Sequence, residues 1–396
     1  MLALLAPYIS GARPLLTCTA SDATVAALSM GCTLVRDGSV AHLLLANDCT
    51  NAERYLASAP AGGPAACGDR LLNIPLGQLA PHPSSVVSIS EVSPPADTCI
   101  NSSTSASVTQ YGTRRCGDPA FSGAFQPFSS TPSRSGYFGE VSALVHVSTL
   151  FGGTLPYLLP AFGVARITIP LGAQTETILP PTSDATLFAG ANAHTSFAHT
   201  PQLSVGTSAT AVHDSTAVSL LRFALAPGMP PPTLALLELT VSAAATDNVI
   251  LLLVASAGRA WGDEITWAAA DWLLSEPVGV VSRVAHNYAK LGPAGGGGPG
   301  NSIVGHISVA PGDGDGDGVV KRVDVSRFVA RAVREGKDSV SFSVMRRFRK
   351  NENNPASAFG DIIAADDLSS GSVTFHSSDA PVAVERHPRM LLYRDA

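Results

Sequence analysis

Residues 234–241 read Leu-Ala-Leu-Leu-Glu-Leu-Thr-Val, and residues 249–256 read Val-Ile-Leu-Leu-Leu-Val-Ala-Ser. Both segments are short, alternate or run apolar, and are separated by the polar pair Asp247-Asn248. This pattern is typical of two core strands of a β-sandwich joined by a turn. Because Glu238 and the Asp-Asn pair interrupt the apolar run, it does not predict a membrane span.

The composition of the whole chain agrees with a β-rich protein. Hydrophobic residues make up 45% of the 396 residues and charged residues only 14%, while Gly (36) and Pro (29) are abundant. Short strands and many turns use such a composition more readily than long helices do. The length is sufficient for two domains that each bury a core. We therefore expect an all-β protein of two domains.

Seven short motifs follow one another in the second half of the chain. They are Asp-Ala-Thr at residues 184–186, Leu-Ser-Val-Gly at 203–206, Leu-Leu-Arg-Phe at 220–223, Leu-Ala-Leu-Leu-Glu-Leu at 234–239, Trp-Gly-Asp-Glu-Ile-Thr-Trp at 261–267, Val-Asp-Val-Ser at 323–326 and His-Pro-Arg-Met-Leu-Leu-Tyr at 387–393. In this order and spacing they resemble the DNRLRE domain family, which is related to carbohydrate-binding module family 96.

The resemblance implies a jelly-roll-like β-sandwich, an extracellular location and a binding or structural role without catalysis. One position departs from the family. Where the family often has Ser-Arg-Glu before the last strand, this chain has Ser377-Ser378-Asp379. The role of that arginine is therefore not carried over to this chain.

The resemblance and the composition divide the chain into residues 1–172 and residues 175–394. In the first part, residues 40–45, 86–89, 141–150 and 164–169 have the short β-branched pattern of strands between Gly, Pro and Ser clusters. In the second part, Ser326 is expected to cap a short helix over residues 327–335 that ends at Gly336.

All six cysteines lie in the first third of the chain. An even number confined to one region predicts three disulfide bonds in a β-rich N-terminal domain, with fifteen pairings open; free thiols in a reducing compartment are the alternative. No two cysteines have the close spacing of a zinc site. The six residues are Cys18, Cys32, Cys49, Cys67, Cys99 and Cys116.

Two further features bear on location. Asn101-Ser102-Ser103 is a glycosylation sequon next to Cys99, as expected for a loop of a secreted glycoprotein. The apolar run of residues 2–5 is shorter than the core of a signal peptide and follows no basic segment, so we expect Met1 to be an artificial or truncated start.

An acidic turn provides the most specific local signal. Counting Asp313 as position one, aspartates fall at positions one, three, five and twelve, and Gly318 stands at position six. This spacing wraps carboxylates around Ca²⁺ in calcium loops, although Asp replaces the usual Glu at position twelve. The sequence predicts a calcium site; a plain acidic turn is the alternative. The four ligands would be Asp313, Asp315, Asp317 and Asp324.

Aromatic residues give the candidates for a sugar-binding surface, since an aromatic face can stack against a sugar ring. Trp272 and Tyr288 are the freer candidates. Trp261 is a third, although it belongs to a family motif together with Trp267, and such residues more often fill the core. His199 is expected to be an ordinary loop or turn histidine.

Several function classes find no support in the residues. A net charge of −6 lacks the basic surface that nucleic acid requires. No nucleophile elbow, metalloprotease motif or phosphate-binding loop is present. Asp263 and Glu264 are adjacent and, on a strand, would face opposite ways, so they would not flank one glycosidic bond.

The sequence therefore leads to three functional hypotheses. The first is a non-catalytic, secreted structural glycoprotein that self-associates or joins other subunits in an extracellular assembly or fibre, because few charges would leave its surface prone to association. The second is a carbohydrate-binding protein that recognises a polysaccharide through residues 175–394. The third, a polysaccharide-degrading enzyme, has the least support.

Overall fold

The structure is a computed structural model, and it confirms the all-β fold class. It describes residues 14–17, 30–37, 39–47, 70–77, 79–92, 99–101, 108–110, 140–159, 164–188, 192–207, 217–244, 249–258, 260–270, 301–346, 348–350, 362–364 and 371–396. The chain divides into two compact units between residues 174 and 175, with residue 140 in the second unit and residue 396 in the first.

The first unit contains ten of the described strands. They are β1 (Pro14–Thr17), β2 (Met30–Asp37), β3 (Val40–Asn47), β4 (Arg70–Pro75), β5 (Val86–Val92), β6 (Cys99–Asn101), β7 (Val108–Gln110), β8 (Ala143–His146), β9 (Thr154–Leu159) and β10 (Val164–Pro170). Six of them form an antiparallel sheet in the order β1-β2-β3-β10-β5-β8, and β4 pairs with β9.

The core of the first unit lies between this sheet and the paired strands β4 and β9. Ala41 and Leu43 alternate with outward residues along β3, and they pack with Ile167, Leu155 and Leu159. The predicted strands at residues 40–45, 86–89 and 164–169 are thus confirmed. The segment 141–150 is only partly a strand, because a 3-10 turn occupies Val147–Thr149.

The second unit contains the remaining thirteen described strands and one described α-helix. The strands are β11 (Gln174–Leu179), β12 (Ser183–Phe188), β13 (Gln202–Thr207), β14 (Ala217–Ala224), β15 (Leu234–Ala243), β16 (Val249–Ala257), β17 (Asn301–Val309), β18 (Val320–Asp324), β19 (Ser339–Arg346), β20 (Phe348–Lys350), β21 (Ile362–Ala364), β22 (Gly371–His376) and β23 (Arg389–Asp395), and the helix is α1 (Ser326–Arg334).

Eleven of these strands form one continuous sheet in the order β11-β23-β15-β22-β13-β14-β19-β16-β17, with β12 beside β14 and β18 beside β15. Strand β15 pairs with β23 and β18 along its first part and with β22 at its end, where the register shifts between Val241 and Ala243. The sheet therefore curls upon itself. Its inward faces share one core, with Phe223, Phe342 and Phe375 fully buried.

Helix α1 packs Val329 and Ala332 into this core. The helix was expected at residues 327–335 and is found one residue earlier at each end. Ser326 is its first residue and not its cap, because the Ser326 hydroxyl donates to Oδ1 of Asp324 and accepts the N–H of Ala235 at 2.8 Å. The Ser326 side chain thus ties the helix to β15.

Candidate functional site

The register of the second unit brings six strand ends to the same end of the sheet. Strand β12 begins where β14 ends, since Ser183 pairs with Arg222, and β16 ends opposite the start of β19. Strand β13 begins where β22 ends, since Gln202 pairs with His376. Three loops leave the sheet at this end: residues 192–201, 260–270 and 377–388. We call them the loop cluster.

Hydrogen bonds to backbone carbonyls fix these loops to one another. The N–H of Ala268 donates to the carbonyl of Ala193 at 2.9 Å, and the Ser196 hydroxyl donates to the carbonyl of Asp263. On the other side, the fully buried Ser377 donates its hydroxyl to the carbonyl of Thr200 at 2.5 Å. Loops held in this way present their side chains from a rigid support.

His199 lies between two carboxylates from the other two loops. Its Nε2 is 3.5 Å from Oδ2 of Asp263, and its Nδ1 is 3.4 Å from Oδ2 of Asp379. The three side chains are 74%, 55% and 47% exposed, respectively. They come from positions far apart in the sequence and form a polar group that solvent can reach.

A buried carboxylate lies next to this group. Asp184 is only 3% exposed, and its Oδ2 accepts the N–H of Ser378 at 2.7 Å, whereas its Oδ1 has no hydrogen-bond partner. Burial raises the pKa of Asp184, and the charge of Asp379 adds to that effect, while the Ser378 hydrogen bond and His387 act against it. The Ser377-Ser378-Asp379 turn, where the family often has an arginine, therefore contacts Asp184 through a backbone N–H.

The arrangement offers hydrogen-bonding groups of two kinds. Both ring nitrogens of His199 face carboxylates, and the imidazole lies between Asp263 and Asp379. Asp263 and Glu264 lie in a turn and not on a strand, so the expectation that they face opposite ways does not apply.

Trp261 is not available for stacking against a sugar. It is 6% exposed and belongs to a buried cluster on the outer face of β12 and β14 with Leu187, Leu220 and Ile265. Its Nε1–H donates to Oγ of Ser341 at 3.0 Å. Trp267 packs against the same cluster but is only partly buried. The structure therefore places Trp261 in the core.

The other predicted sugar-binding, glycosylation and disulfide residues cannot be placed in a site. Trp272 and Tyr288 lie outside the described residues. Asn101 ends strand β6, and Cys32 and Cys99 lie in β2 and β6, but their side chains, like the other four cysteines, are outside the described part of the chain. The three disulfide bonds and the glycan at Asn101 stay predictions.

Three of the four aspartates of the predicted calcium site have separate partners. Oδ2 of Asp313 is 2.8 Å from Nζ of Lys321, and Asp317 pairs with Arg386. Oδ1 of Asp324 accepts the hydroxyl and the N–H of Ser326. Within the described ranges, no three His, Cys, Asp or Glu side chains are gathered as a metal would need. Calcium stays a prediction, and the contacts show how basic side chains neutralise two of the carboxylates.

No sequence pattern predicts the loop cluster. His199 is 64 residues before Asp263 and 180 residues before Asp379, so no motif spacing joins them. Only the register of the strands brings these residues together.

Within the described ranges, no helix is long and apolar enough to cross a membrane.

Comparisons with known proteins add little to this geometry. No family model and no curated protein matches the chain. Among solved structures, a variant and the wild type of BuGH86 in complex with neoagarooctaose align with 92% of this chain at 8% identity, with TM-scores of 0.22 and 0.19. A β-porphyranase of glycoside hydrolase family 86 from the human gut bacterium Bacteroides plebeius aligns with 91% at 6% identity and a TM-score of 0.20. The chain spans 34% to 37% of the length of these proteins.

Proposed function

We propose that this chain is a non-catalytic carbohydrate-binding protein and that the loop cluster binds the saccharide. One observation carries the proposal. Three loops, fixed to one end of a β-sheet, place the exposed carboxylates of Asp263 and Asp379 within 3.5 Å of the imidazole of His199. Binding residues are commonly placed on loops that a rigid scaffold supports.

The side chains of the loop cluster suit a ligand rich in hydroxyl groups. A carboxylate accepts several O–H donors at once, and an imidazole can both donate and accept. A few fixed polar groups of this kind determine the orientation of a ligand. Trp267, on the same loop as Asp263, is only partly buried, so part of this aromatic side chain is open to solvent.

We favour carbohydrate binding over the hypothesis that the chain is a fibre subunit. The described residues include a group of exposed polar side chains from three loops, which supports ligand binding, whereas no described residue supports the fibre hypothesis. We include three further points in this proposal: membership of the DNRLRE family, which the chain resembles, a secreted location and the absence of catalysis. The resemblance supports it because the related module family is defined by carbohydrate binding.

Calorimetric titration of the full chain with soluble neutral, acidic and amino-sugar oligosaccharides tests the proposal. We expect at least one class to bind, and we expect His199→Ala to weaken that binding about tenfold, because a lost hydrogen bond to a charged group has this size. Glu335→Gln, on the exposed side of α1, is the matched control and should bind as the wild type does.

Two outcomes would contradict the proposal. If no oligosaccharide binds and the native protein is filamentous, the fibre hypothesis is the better one. If reducing ends accumulate during the titration, the protein hydrolyses the oligosaccharide. That outcome contradicts a non-catalytic function.

A further inference from the structure

The first unit exposes one aromatic side chain almost completely. Phe151 lies in the turn between β8 and β9, residues 147–153, and it is 98% exposed. In the same turn, Val147 and Leu150 are partly buried and pack against the core of the first unit. The core thus holds the turn, whereas the ring of Phe151 gains almost no burial from folding. One exposed apolar residue alone is ordinary on a protein surface, but the surroundings of Phe151 are not.

The turn is bonded at both ends to the loop between β4 and β5. The N–H of Val147 donates to the carbonyl of Ser85 at 3.0 Å, and the N–H of the buried Leu76 donates to the carbonyl of Gly153 at 2.9 Å. A side chain on a support that is already fixed costs less entropy to order when it binds a ligand. Phe151 is therefore presented beside the β4–β5 loop.

His82 of the β4–β5 loop provides a neutral hydrogen-bond donor. The N–H of Ser84 donates to Nδ1 of His82 at 3.2 Å, and the Ser84 hydroxyl lies 2.8 Å from the same nitrogen. Because a backbone N–H can only donate, Nδ1 is the acceptor, and the ring proton of the neutral imidazole is on Nε2. His82 is exposed, so Nε2 can donate this proton to a hydroxyl group of a ligand.

The turn and the loop carry no charged residue. The sequence has no Asp, Glu, Lys or Arg within residues 71–90 and none within residues 141–165. A charged ligand would therefore find no opposite charge on either segment. A neutral ligand rich in hydroxyl groups fits them better, since the C–H groups of a sugar ring pack on an aromatic face and its hydroxyl groups accept and donate hydrogen bonds.

These segments suit a sugar better than a lipid surface or a protein. The other exposed residues of the turn, Ser148, Thr149 and Gly152, add no large apolar side chain to Phe151. A lipid surface requires a wider apolar face or basic groups for its headgroups. A stable protein interface buries about 1,000 Å² or more. One aromatic ring beside a few neutral polar groups is sufficient to orient a sugar unit.

We propose that Phe151 and His82 form a second saccharide-binding surface, which lies in the first unit and takes neutral saccharides. A sugar ring packs on the exposed face of Phe151, and one of its hydroxyl groups accepts the Nε2–H of His82. This inference goes beyond the proposed function, because the surface shares no residue with the loop cluster. Either site can therefore fail without the other.

Calorimetric titration of the full chain with hexamers of glucose (β-1,4-linked), xylose, mannose and galacturonate tests the proposal. The protein carries His199→Ala, so that binding at the loop cluster is weakened and the remaining heat reports on Phe151. We expect at least one of the three neutral hexamers to bind. The galacturonate hexamer should bind less tightly, because these segments offer no cation to its carboxylates.

Further substitutions in the same protein locate the binding. Phe151→Ala and His82→Ala should each weaken it about fivefold, the size of one lost aromatic contact or one lost hydrogen bond, while Phe151→Trp should retain it. Ile178→Ala, which truncates an exposed apolar side chain of β11 in the second unit, is the control and should bind as before. Melting curves should be alike for Phe151→Ala and its parent, since the ring is outside the core.

Each failure has a distinct meaning. Unchanged binding in Phe151→Ala, or galacturonate binding as tight as that of the neutral hexamers, overturns the inference and leaves the loop cluster in place. The inference also falls if neutral hexamers bind the wild type but not the His199→Ala protein. If no hexamer binds even the wild type and the wider set of saccharides fails too, the proposed function falls with it.

Two other occupants of Phe151 would be detected in parallel. If sedimentation shows that the wild type self-associates and Phe151→Ala does not, the ring is a contact between copies of the chain. If neutral phosphatidylcholine vesicles bind the wild type and not Phe151→Ala, the ring inserts into lipid. Either result, together with unchanged saccharide binding in Phe151→Ala, replaces the saccharide at this surface.

Discussion

Nζ of Lys321 lies 2.8 Å from Oδ2 of Asp313, and these side chains are only 13% and 15% exposed. The pair joins strand β18 to the acidic turn that precedes it. Oδ2 of Asp313 also accepts the N–H of Ala310 at 2.7 Å. The ammonium group of Lys321 thus already pairs with Asp313, the first carboxylate of the predicted calcium loop. Lys321 and calcium would compete for this carboxylate.

Calcium should raise the melting temperature of the full chain, because an ion that binds only the folded state stabilises it by mass action, by about 2.7 kcal/mol at a hundredfold excess over Kd. Lys321→Gln should enlarge the shift, since the competing ammonium is gone. Replacing Asp313 and Asp315 together by Asn should abolish it. Melting curves with and without millimolar calcium measure all three, and if wild type and Lys321→Gln both fail to respond, only the acidic turn remains.

Gly318→Ala should destabilise the second unit strongly. A Cβ at Gly318 would lie 2.1 Å from the carbonyl oxygen of Val241, and the residue has φ +74°. Gly316→Ala is the matched control, because Gly316 has φ +61° but no atom within 4 Å of its Cβ position. The control should cost only the strain of a left-handed residue, about 1–2 kcal/mol.

Denaturation followed by tryptophan fluorescence measures this difference, since all three tryptophans lie within residues 261–272 and report on the second half of the chain. Equal losses in the two alanine variants would show that the turn does not pack on β15 as the structure has it.

Local patterns predicted most of the fold. Strands β15 and β16 and helix α1 stand within a few residues of their predicted positions, because apolar alternation and a terminating glycine act over short distances. The candidate site was not predictable in this way. The residues next to His199 in the sequence indicate an ordinary loop histidine. Its contacts with the carboxylates form only when the strand register brings three distant loops together.

Glu238→Gln should destabilise the second unit by about 3 kcal/mol, the usual cost of removing one partner from a buried ion pair. The Glu238 carboxylate is 3% exposed and lies 2.5 Å from Nε of both Arg322 and Arg389, its neighbours on β18 and β23. Removing the charge leaves two guanidinium groups beside each other. Glu335→Gln, which removes the exposed pair with Arg331, should leave the urea midpoint unchanged.

A midpoint of Glu238→Gln equal to that of the wild type would mean that the two arginines find water or other partners at no cost. The same fluorescence measurement in urea decides between these outcomes.

The six cysteines should form three disulfide bonds in the native protein. Each bond would stabilise a small, loop-rich domain by about 2–4 kcal/mol, mainly by restricting the unfolded chain. Mass spectrometry after alkylation without reduction should detect no modified cysteine. Two or more alkylated cysteines would favour the free-thiol alternative and contradict the secreted location.

Asp184→Asn should change how stability depends on pH. Burial raises the pKa of Asp184 in the folded protein above its ordinary value of 3.8, so the folded state binds this proton more tightly than the unfolded state does. The ionised carboxylate therefore costs stability at neutral pH, and this cost disappears as the pH falls through the folded-state pKa. Asparagine carries no charge at any pH and can still accept the N–H of Ser378. The melting temperature of Asp184→Asn minus that of the wild type should therefore decrease from pH 7 towards pH 4, whatever its absolute size.

Thermal melts at half-unit pH intervals measure the difference, with Asp338→Asn, an exposed residue before β19, as the control. A difference that stays constant over this range would show that Asp184 is not buried as a charged group.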